Sequence, residues 1–515
     1  MQKGLQRQSK RRLHKLEEGK IVMGRYVLVI DQSTQGTKAL LLDSEGKLAG
    51  RKDMPHRQIV DVNGWVGHDL EEIYENTIQA VQGLVEETGI RKSELAVVGI
   101  SNQRETSACW DKRNGKPLCC AVVWQCARAA AICSRIKEQG YGDMIKKRTG
   151  LPLSPYFSAA KFAWMFQNVS GVKEKAEKGD AAFGTVDSYL VYRLTEGRNF
   201  QTDYSNAART QVFNIRTLEW DRELLDIFGI PFSAMAAVTG SDGDYGVTDF
   251  NGYLDQPIPI RGVLGDSNGA LFGQGCLNPG MIKATYGTGS SIMMNIGEKP
   301  VFTDLGVVTS LAWSLDGKVN YVLEGNINYA GAVISWLQND VGLIRSAGET
   351  EMLAKSANSE DIAYLVPAFS GLGAPYWDEG AKAAICGITR TTGKAEIVRA
   401  ALDSIAYQVT DIIKIMKEAG GIEHGELRAD GGPTKNRYLM QFQSDQLGIP
   451  VSIPESEELS GIGAGFVAGL SAGIYDENIF DNMNRTRYSC KMDDEVRQKL
   501  YAGWLDAVKG VMTRT

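Results

Sequence analysis

Short apolar runs alternate with clusters of small polar residues along the chain, and one such arrangement occurs twice. Residues 26–31 (YVLVID) form a β-branched run that predicts a strand; Ser33-Thr34-Gln35-Gly36-Thr37 interrupts it, and residues 38–43 (KALLLD) resume as a second strand closed by Ser44-Glu45-Gly46. The same order returns at 281–286, 287–291 (GTGSS) and 292–296, with a further hairpin signal at Leu315-Asp316-Gly317. Helical periodicity predicts helices over 70–87, 159–167 and 394–418, while 95–100 (LAVVGI) reads as a strand and 427–432 as a strand and turn. Two α/β halves that open with one device imply a duplicated unit: a first domain over 25–274, a second over 275–515, and a cleft between them.

Length agrees with this division, since 515 residues exceed the roughly 100–200 of a typical domain. With 43% apolar and 23% charged residues the composition is that of a globular protein, and no apolar run approaches the ~18 residues of a membrane span. A net charge of −6 gives no broad basic field for nucleic acid; the one basic run lies in the first twenty residues, which lack an apolar signal-peptide core and are expected to be a disordered extension over 1–24. Eight cysteines without C-x-x-C spacing and only four histidines argue for reduced thiols in a cytoplasm and against a structural zinc site.

The repeated loops carry candidate chemistry. A polyphosphate needs closely approaching backbone N–H groups and hydroxyl donors, which Gly, Ser and Thr supply. Asp31 through Lys38 offer them in Thr34, Gln35 and Gly36, with a carboxylate at the strand end that could hold Mg²⁺ through water and a cation for phosphate. Tyr286-Gly287-Thr288-Gly289 offers a second such loop, and Asp430-Gly431-Gly432 with Asn436 a third, ending a strand and opening a helix (PTKNRYLMQFQSD). The G-x-x-x-x-G-K-S/T motif is absent, and no G-x-G-x-x-G follows a strand. Arg104 and Glu105 follow the 95–100 strand as a forked donor beside an acceptor, a pair suited to neighbouring hydroxyls or to a surface salt bridge. Asp266 precedes the helix SNGALFGQG, where a cap and a general base are both open readings.

From about Tyr26 to Asp476 the sequence resembles the FGGY carbohydrate kinases, most specifically in YFSAAKFAWMFQN (156–168). Blocks such as SNQRET (101–106), VWQC (123–126), FGTVD (183–187), TYGTG (285–289) and PAFSGLGAPYWD (367–378) resemble the glycerol kinases within that family. The resemblance implies a duplicated ribonuclease H-like fold, shared with actin and hexokinase, and ATP-dependent phosphorylation of a small polyol or sugar in a homo-oligomeric enzyme. It implies Asp266 as the general base, in a motif that reads Gly265-Asp266-Ser267. It places Arg104, Glu105, Trp124 and Tyr156 on the acceptor, Thr34, Lys38 and Thr288 on the phosphates, Gly331 and Gly432 beside the nucleotide, and Asn436 at the base.

Several positions depart from the glycerol kinase pattern. Lys38 stands where arginine is usual and can act only as a point charge. Ser267 replaces glutamine, Ser291 replaces phenylalanine and Ser335 replaces glutamine. The first two exchanges imply a wider, more polar pocket, so glycerol competes with a four- or five-carbon polyol or ketose such as erythritol, xylulose or ribulose. A non-catalytic, actin-like sugar sensor is the alternative of another class, and the retained Asp266 opposes it.

Overall fold

The computed structural model describes residues 25–423 and 425–513; the expected extension over 1–24 lies outside them. Two mixed sheets form the frame. Across the first, the strands run Val247–Thr248, Ile258–Gly265, Leu95–Asn102, Tyr26–Gln32, Gly36–Leu42 and Leu48–Pro55. Tyr26–Gln32 and Gly36–Leu42 make the expected antiparallel hairpin, and Tyr26–Gln32 and Ile258–Gly265 both lie parallel to Leu95–Asn102. The second sheet repeats the device: Ile282–Tyr286 and Ser290–Gly297 form a hairpin, with Leu427–Asp430 parallel to the first of them. It departs from the first sheet beyond that hairpin, because Lys318–Ile327 pairs next to Ser290–Gly297 and leaves Val308–Leu315 at the edge.

Alternation explains why the strands read as unbroken apolar runs. Leu28, Ile30, Leu41, Val98 and Ile100 share a core with the helix Leu70–Thr88, while Val27, Val29, Leu40, Leu42 and Val97 share one with the helix Leu459–Ser471. A strand buried on both faces carries apolar residues at every position. Leu70–Thr88 begins where Asp69 accepts the N–H of Glu71 and stops at Gly89 in the left-handed conformation.

Leu459–Ser471 comes from the second half of the chain yet packs on the first sheet and against the helix Asp266–Gly273. Glycine makes this approach possible: a Cβ on Gly463 would lie 1.9 Å from the carbonyl oxygen of Gly269. Helical backbones therefore touch directly within the helix that Asp266 begins.

One expectation changes in detail. The segment after Asp430 does not enter a helix at once: Gly432–Lys435 is a 3₁₀ turn, Asn436 is extended, and the α-helix is Arg437–Leu447. Proline at 433 suits the start of a turn but lacks the N–H a continuing helix would use. A five-stranded sheet of Ile59–Val60, Val66–His68, Ala121–Val122, Ser107–Asp111 and Ala181–Thr185 also went unread, since strands of two to five residues carry little periodicity.

Candidate active site

Three parallel strands end side by side, with Gln32 and Gly265 flanking Asn102 in register. Loops leaving the carboxyl ends of parallel strands are where α/β sheets bind ligands. Here those loops carry Thr34, the Arg104-Glu105 pair and Asp266.

Asp266 is the first residue of its helix and Gly265 holds the N-cap position, so of the two readings open for Asp266 the cap does not hold. Gly265 has extended backbone, and a Cβ there would stand 2.3 Å from Cγ of Arg104, so glycine lets the strand end pass this close to the arginine. The Asp266 carboxylate accepts the N–H of Ser267 at 2.6 Å and keeps 39% of its side-chain surface open. Burial of the site raises its pKa above the ordinary aspartate value and Glu105 adds to the rise, against the pull of Arg104, the Ser267 amide and Lys283. A carboxylate so perturbed beside an open space is placed to accept a proton.

Arg104 is buried, and its fork is not free for two hydroxyls as the sequence suggested. Nη1 and Nη2 donate to the two oxygens of Glu324 at 3.1 and 3.0 Å, and Nη1 also reaches Asn268 at 3.3 Å. A buried guanidinium needs an anionic partner, and Glu324 from the second sheet supplies it. What remains is Nε, which makes no hydrogen bond and lies 3.4 Å from Asp266 Oδ1 and 3.8 Å from Glu105 Oε1.

A second arginine completes this cluster. Arg209 donates through Nε to Glu105 Oε1 at 2.6 Å and through Nη1 and Nη2 to Glu324 at 3.0 and 3.3 Å, with its guanidinium 5.1 Å from the Phe157 ring centre. Burial would raise the pKa of Glu324, but Arg104 and Arg209 overcome it and hold the carboxyl at about 2. Neither Arg209 nor Glu324 was identified from sequence. The signal was present for Glu324, a lone acid inside the apolar strand YVLEGNI, because a charge in a buried strand must be paired.

Two of the aromatic residues pack against each other. Trp124 and Tyr156 meet edge to face with ring centres 5.6 Å apart, and Trp124 Nε1 donates to Thr34 Oγ1 at 3.0 Å. Thr34, expected on the phosphates, is thereby tied to the aromatic wall. Lys161, also missed, is fully buried at the start of Ser158–Asn168 and donates to the backbone carbonyls of Glu105, Tyr156 and Phe157, joining the Arg104 loop to the aromatic loop.

On the other side of the strand ends, Lys38 binds Glu458 at 2.6 Å and stands 4.0 Å from Asp31. Burial pushes Asp31 up to about 6, with Lys38 opposing. Gln35 and Gly36 lie in the hairpin turn, where the N–H of Ser33 bonds the carbonyl of Gly36 at 2.9 Å. In the second domain the N–H of Gly287 bonds the carbonyl of Gly289 at 2.7 Å, and the carbonyl of Thr288 accepts from Ala330 and Ala332 at 2.9 and 3.0 Å, seating the loop on the start of Gly331–Asn339. Gly432 has open space where a side chain would be. Asn436 caps Arg437–Leu447, accepting the N–H of Leu439 and donating to Thr350, each at 3.0 Å. Ser335 bonds its own helix at the Gly331 carbonyl.

Ser267 sits beside Asp266. Ser291 pairs with Thr285 and Asn326, and two residues on, Met293 pairs with Lys283 and Glu324, so all share one sheet face. Glu324 grips Arg104, which makes this the face turned toward the first sheet's strand ends. Ser291 Oγ is buried there without a hydrogen-bond partner.

The chain's relationships agree with this arrangement. Residues 26–273 match the N-terminal domain, and residues 282–472 the C-terminal domain, of the FGGY family of carbohydrate kinases. The chain belongs to that family. As an FGGY kinase it is an ATP-dependent phosphotransferase with an alcohol group as acceptor. It is 50% identical over 491 residues to glycerol kinase 1 of Thermotoga maritima, covering 95% of this chain and 100% of that one, and 44% identical to the glycerol kinase of Caldanaerobacter subterraneus, covering 95% and 99%. The crystal structure of Plasmodium falciparum glycerol kinase with ADP matches with a TM-score of 0.90 at 34% identity, over 95% of this FGGY kinase and 99% of that chain. Among the described residues no helix is long and apolar enough to cross a membrane.

Proposed function

We propose that this FGGY kinase phosphorylates glycerol, transferring the γ-phosphate of ATP to a terminal hydroxyl. The observation that carries the reading is the pairing of an open, pKa-raised Asp266 carboxylate with the unbonded Nε of Arg104, at the ends of three parallel strands. The identity to enzymes named glycerol kinase supports the choice of acceptor.

In this mechanism the acceptor's carbon face rests on Trp124 and Tyr156 while Arg104 Nε and Glu105 hold its hydroxyls. Asp266 takes the proton of the attacking hydroxyl as the bond to phosphorus forms. Lys38 and the Gly287–Gly289 loop face the phosphates across the cleft. Asp31, a buried carboxylate at the strand end beside Lys38, would hold Mg²⁺ through water. Such an ion supplies charge neutralisation on the phosphates. We assign the two domains to residues 25–274 and 275–515; a cytoplasmic setting and self-association belong to the same proposal.

A longer polyol or a ketose is the second reading, favoured by the unpartnered Ser291 hydroxyl on the cleft-facing sheet surface. ADP release with Mg-ATP against glycerol, erythritol, xylulose and ribulose decides between them. Glycerol giving the highest kcat/KM supports the first reading; an acceptor of four or five carbons outrunning it replaces glycerol in the account; no ADP from any acceptor removes both.

A further inference from the structure

Behind the acceptor loops lies a carboxylate that touches none of the groups assigned to either substrate. Asp203 ends the strand Gln201–Asp203, caps the short helix Tyr204–Ala207 and is completely buried. Five donors converge on it. Oδ1 accepts from Ser205 Oγ at 2.9 Å and from the backbone and side-chain nitrogens of Asn206, each at 2.8 Å; Oδ2 accepts from the N–H of Ser205 and from Ser241 Oγ, each at 2.9 Å. Only an ionised carboxylate can accept at both oxygens without offering a donor of its own. Burial raises its pKa, and those donors oppose the rise.

Each contact runs on to a different part of the site. Ser205 Oγ, while donating to Asp203, accepts the N–H of Gly265 at 2.9 Å, and Gly265 immediately precedes Asp266. Asn206 donates to Asn102 Oδ1 at 3.1 Å and accepts from Asn102 Nδ2 at 2.9 Å, and Asn102 lies two residues before Arg104. The helix capped by Asp203 passes directly into the turn Ala208–Thr210 that carries Arg209. Ser241 Oγ accepts the N–H of Ser314 at 3.2 Å, and the N–H of Ser241 donates to the Ser314 carbonyl at 2.8 Å, which joins the network to the second sheet.

We propose that Asp203 is a positioning residue for phosphoryl transfer: through Ser205, Asn206 and Ser241 it fixes Asp266, the Arg104 loop and the second sheet relative to one another. The proposal rests on the reading of Asp266 as general base. Such a residue governs kcat more than substrate affinity, because the bound substrates tolerate a small displacement of the base that the transition state does not.

The test uses the full chain with Mg-ATP and the best acceptor of the panel, measuring kcat and both KM values by ADP release beside the thermal unfolding midpoint. Asp203→Asn, which turns a donor toward at least one of the five, is expected to lower kcat by about tenfold or more with both KM values within about threefold. Ser205→Ala removes the link to the Gly265 N–H together with one of the five donors to Asp203, and is expected to lower kcat at unchanged KM with a smaller fall in the midpoint than Asp203→Asn gives. Should Asp203→Asn not fold, Ser205→Ala decides alone. A folded Ser205→Ala or Asp203→Asn enzyme with unaltered kcat overturns the proposal, as does a loss confined to KM. Turnover by the unaltered enzyme in the same assay checks the kinase reading separately; its absence would remove that reading and the proposal with it.

Discussion

Replacing Glu324 by glutamine separates the two tasks this residue performs. Glu324 is 1% exposed and accepts four hydrogen bonds, two from Arg104 and two from Arg209, at 3.0 to 3.3 Å. Glutamine can accept at only one of the two oxygen positions, so two of these bonds become contacts between donors, and the two buried guanidinium groups lose the counter-charge they share, keeping only Glu105 and Asp266. At ~1.5–3 kcal/mol for each charged hydrogen bond the loss is about 3–6 kcal/mol, in line with the ~3–5 kcal/mol that breaking one partner of a buried ion pair costs. Against a total stability of about 5–15 kcal/mol this is a large fraction. The midpoint of urea unfolding should fall accordingly. In the protein that remains folded, Arg104 is no longer held against Asp266, and a displacement of about 1 Å costs roughly 10²-fold in rate. Coupled ADP release measured under conditions where the variant is fully folded should therefore show a fall of that order in kcat/KM for the acceptor. An unfolding free energy within about 0.5 kcal/mol of the unaltered protein, outside the range expected for such a buried pair, would refute the energetic argument. A destabilised variant with unaltered kcat/KM would refute the alignment argument.

The same substitution predicts a pH signature. The pKa of Glu324 is held at about 2, below its ordinary 4.5, so its contribution is fully present above pH 4.5 and is lost as pH falls toward 2. The stability gap between the unaltered protein and Glu324→Gln, measured by urea unfolding, should narrow between pH 4.5 and 3; a constant gap contradicts this. Trp124→Phe removes the 3.0 Å bond to Thr34, worth about 0.5–1.5 kcal/mol, and should raise the acceptor KM roughly 2- to 10-fold with the KM for ATP unmoved. A change confined to the KM for ATP would return Thr34 to the phosphates alone. Gly463→Ala puts a methyl 1.9 Å from the Gly269 carbonyl and should cost at least the ~1–3 kcal/mol of an overpacked core. An equally stable variant would show that the two helices can part without penalty.

The parts of this architecture that follow from local chemistry were legible in the sequence. Both hairpins with their Gly/Thr loops came from apolar runs broken by small polar residues, and Leu70–Thr88 and Lys394–Gly420 came from helical periodicity. The groups of the buried Arg104–Glu324 cluster were legible singly and not together. Arg104 and Glu105 are adjacent in sequence, but the residues that claim them, Glu324 and Arg209, lie more than a hundred positions away, and no periodicity connects them. The Arg104 fork was read as open because its counter-charge arrives from the other domain. For Asp266 a cap stayed open beside the base because the helix start at Gly265 is fixed only once the strands are paired. Lys161 lay within a motif read as a whole, so its role in binding three carbonyls was not separated from the motif.

The central claim is that the Asp266 carboxylate accepts the proton of the attacking hydroxyl. A rapid-quench single turnover tests it most directly, with enzyme in excess over γ-labelled Mg-ATP, saturating acceptor, and Asp266→Asn beside the unaltered enzyme. The account predicts that the transfer rate falls by about 10²–10⁴, the usual range for a lost general base, while the dissociation constant of ATP stays within about threefold. A transfer rate equal to that of the unaltered enzyme would contradict it.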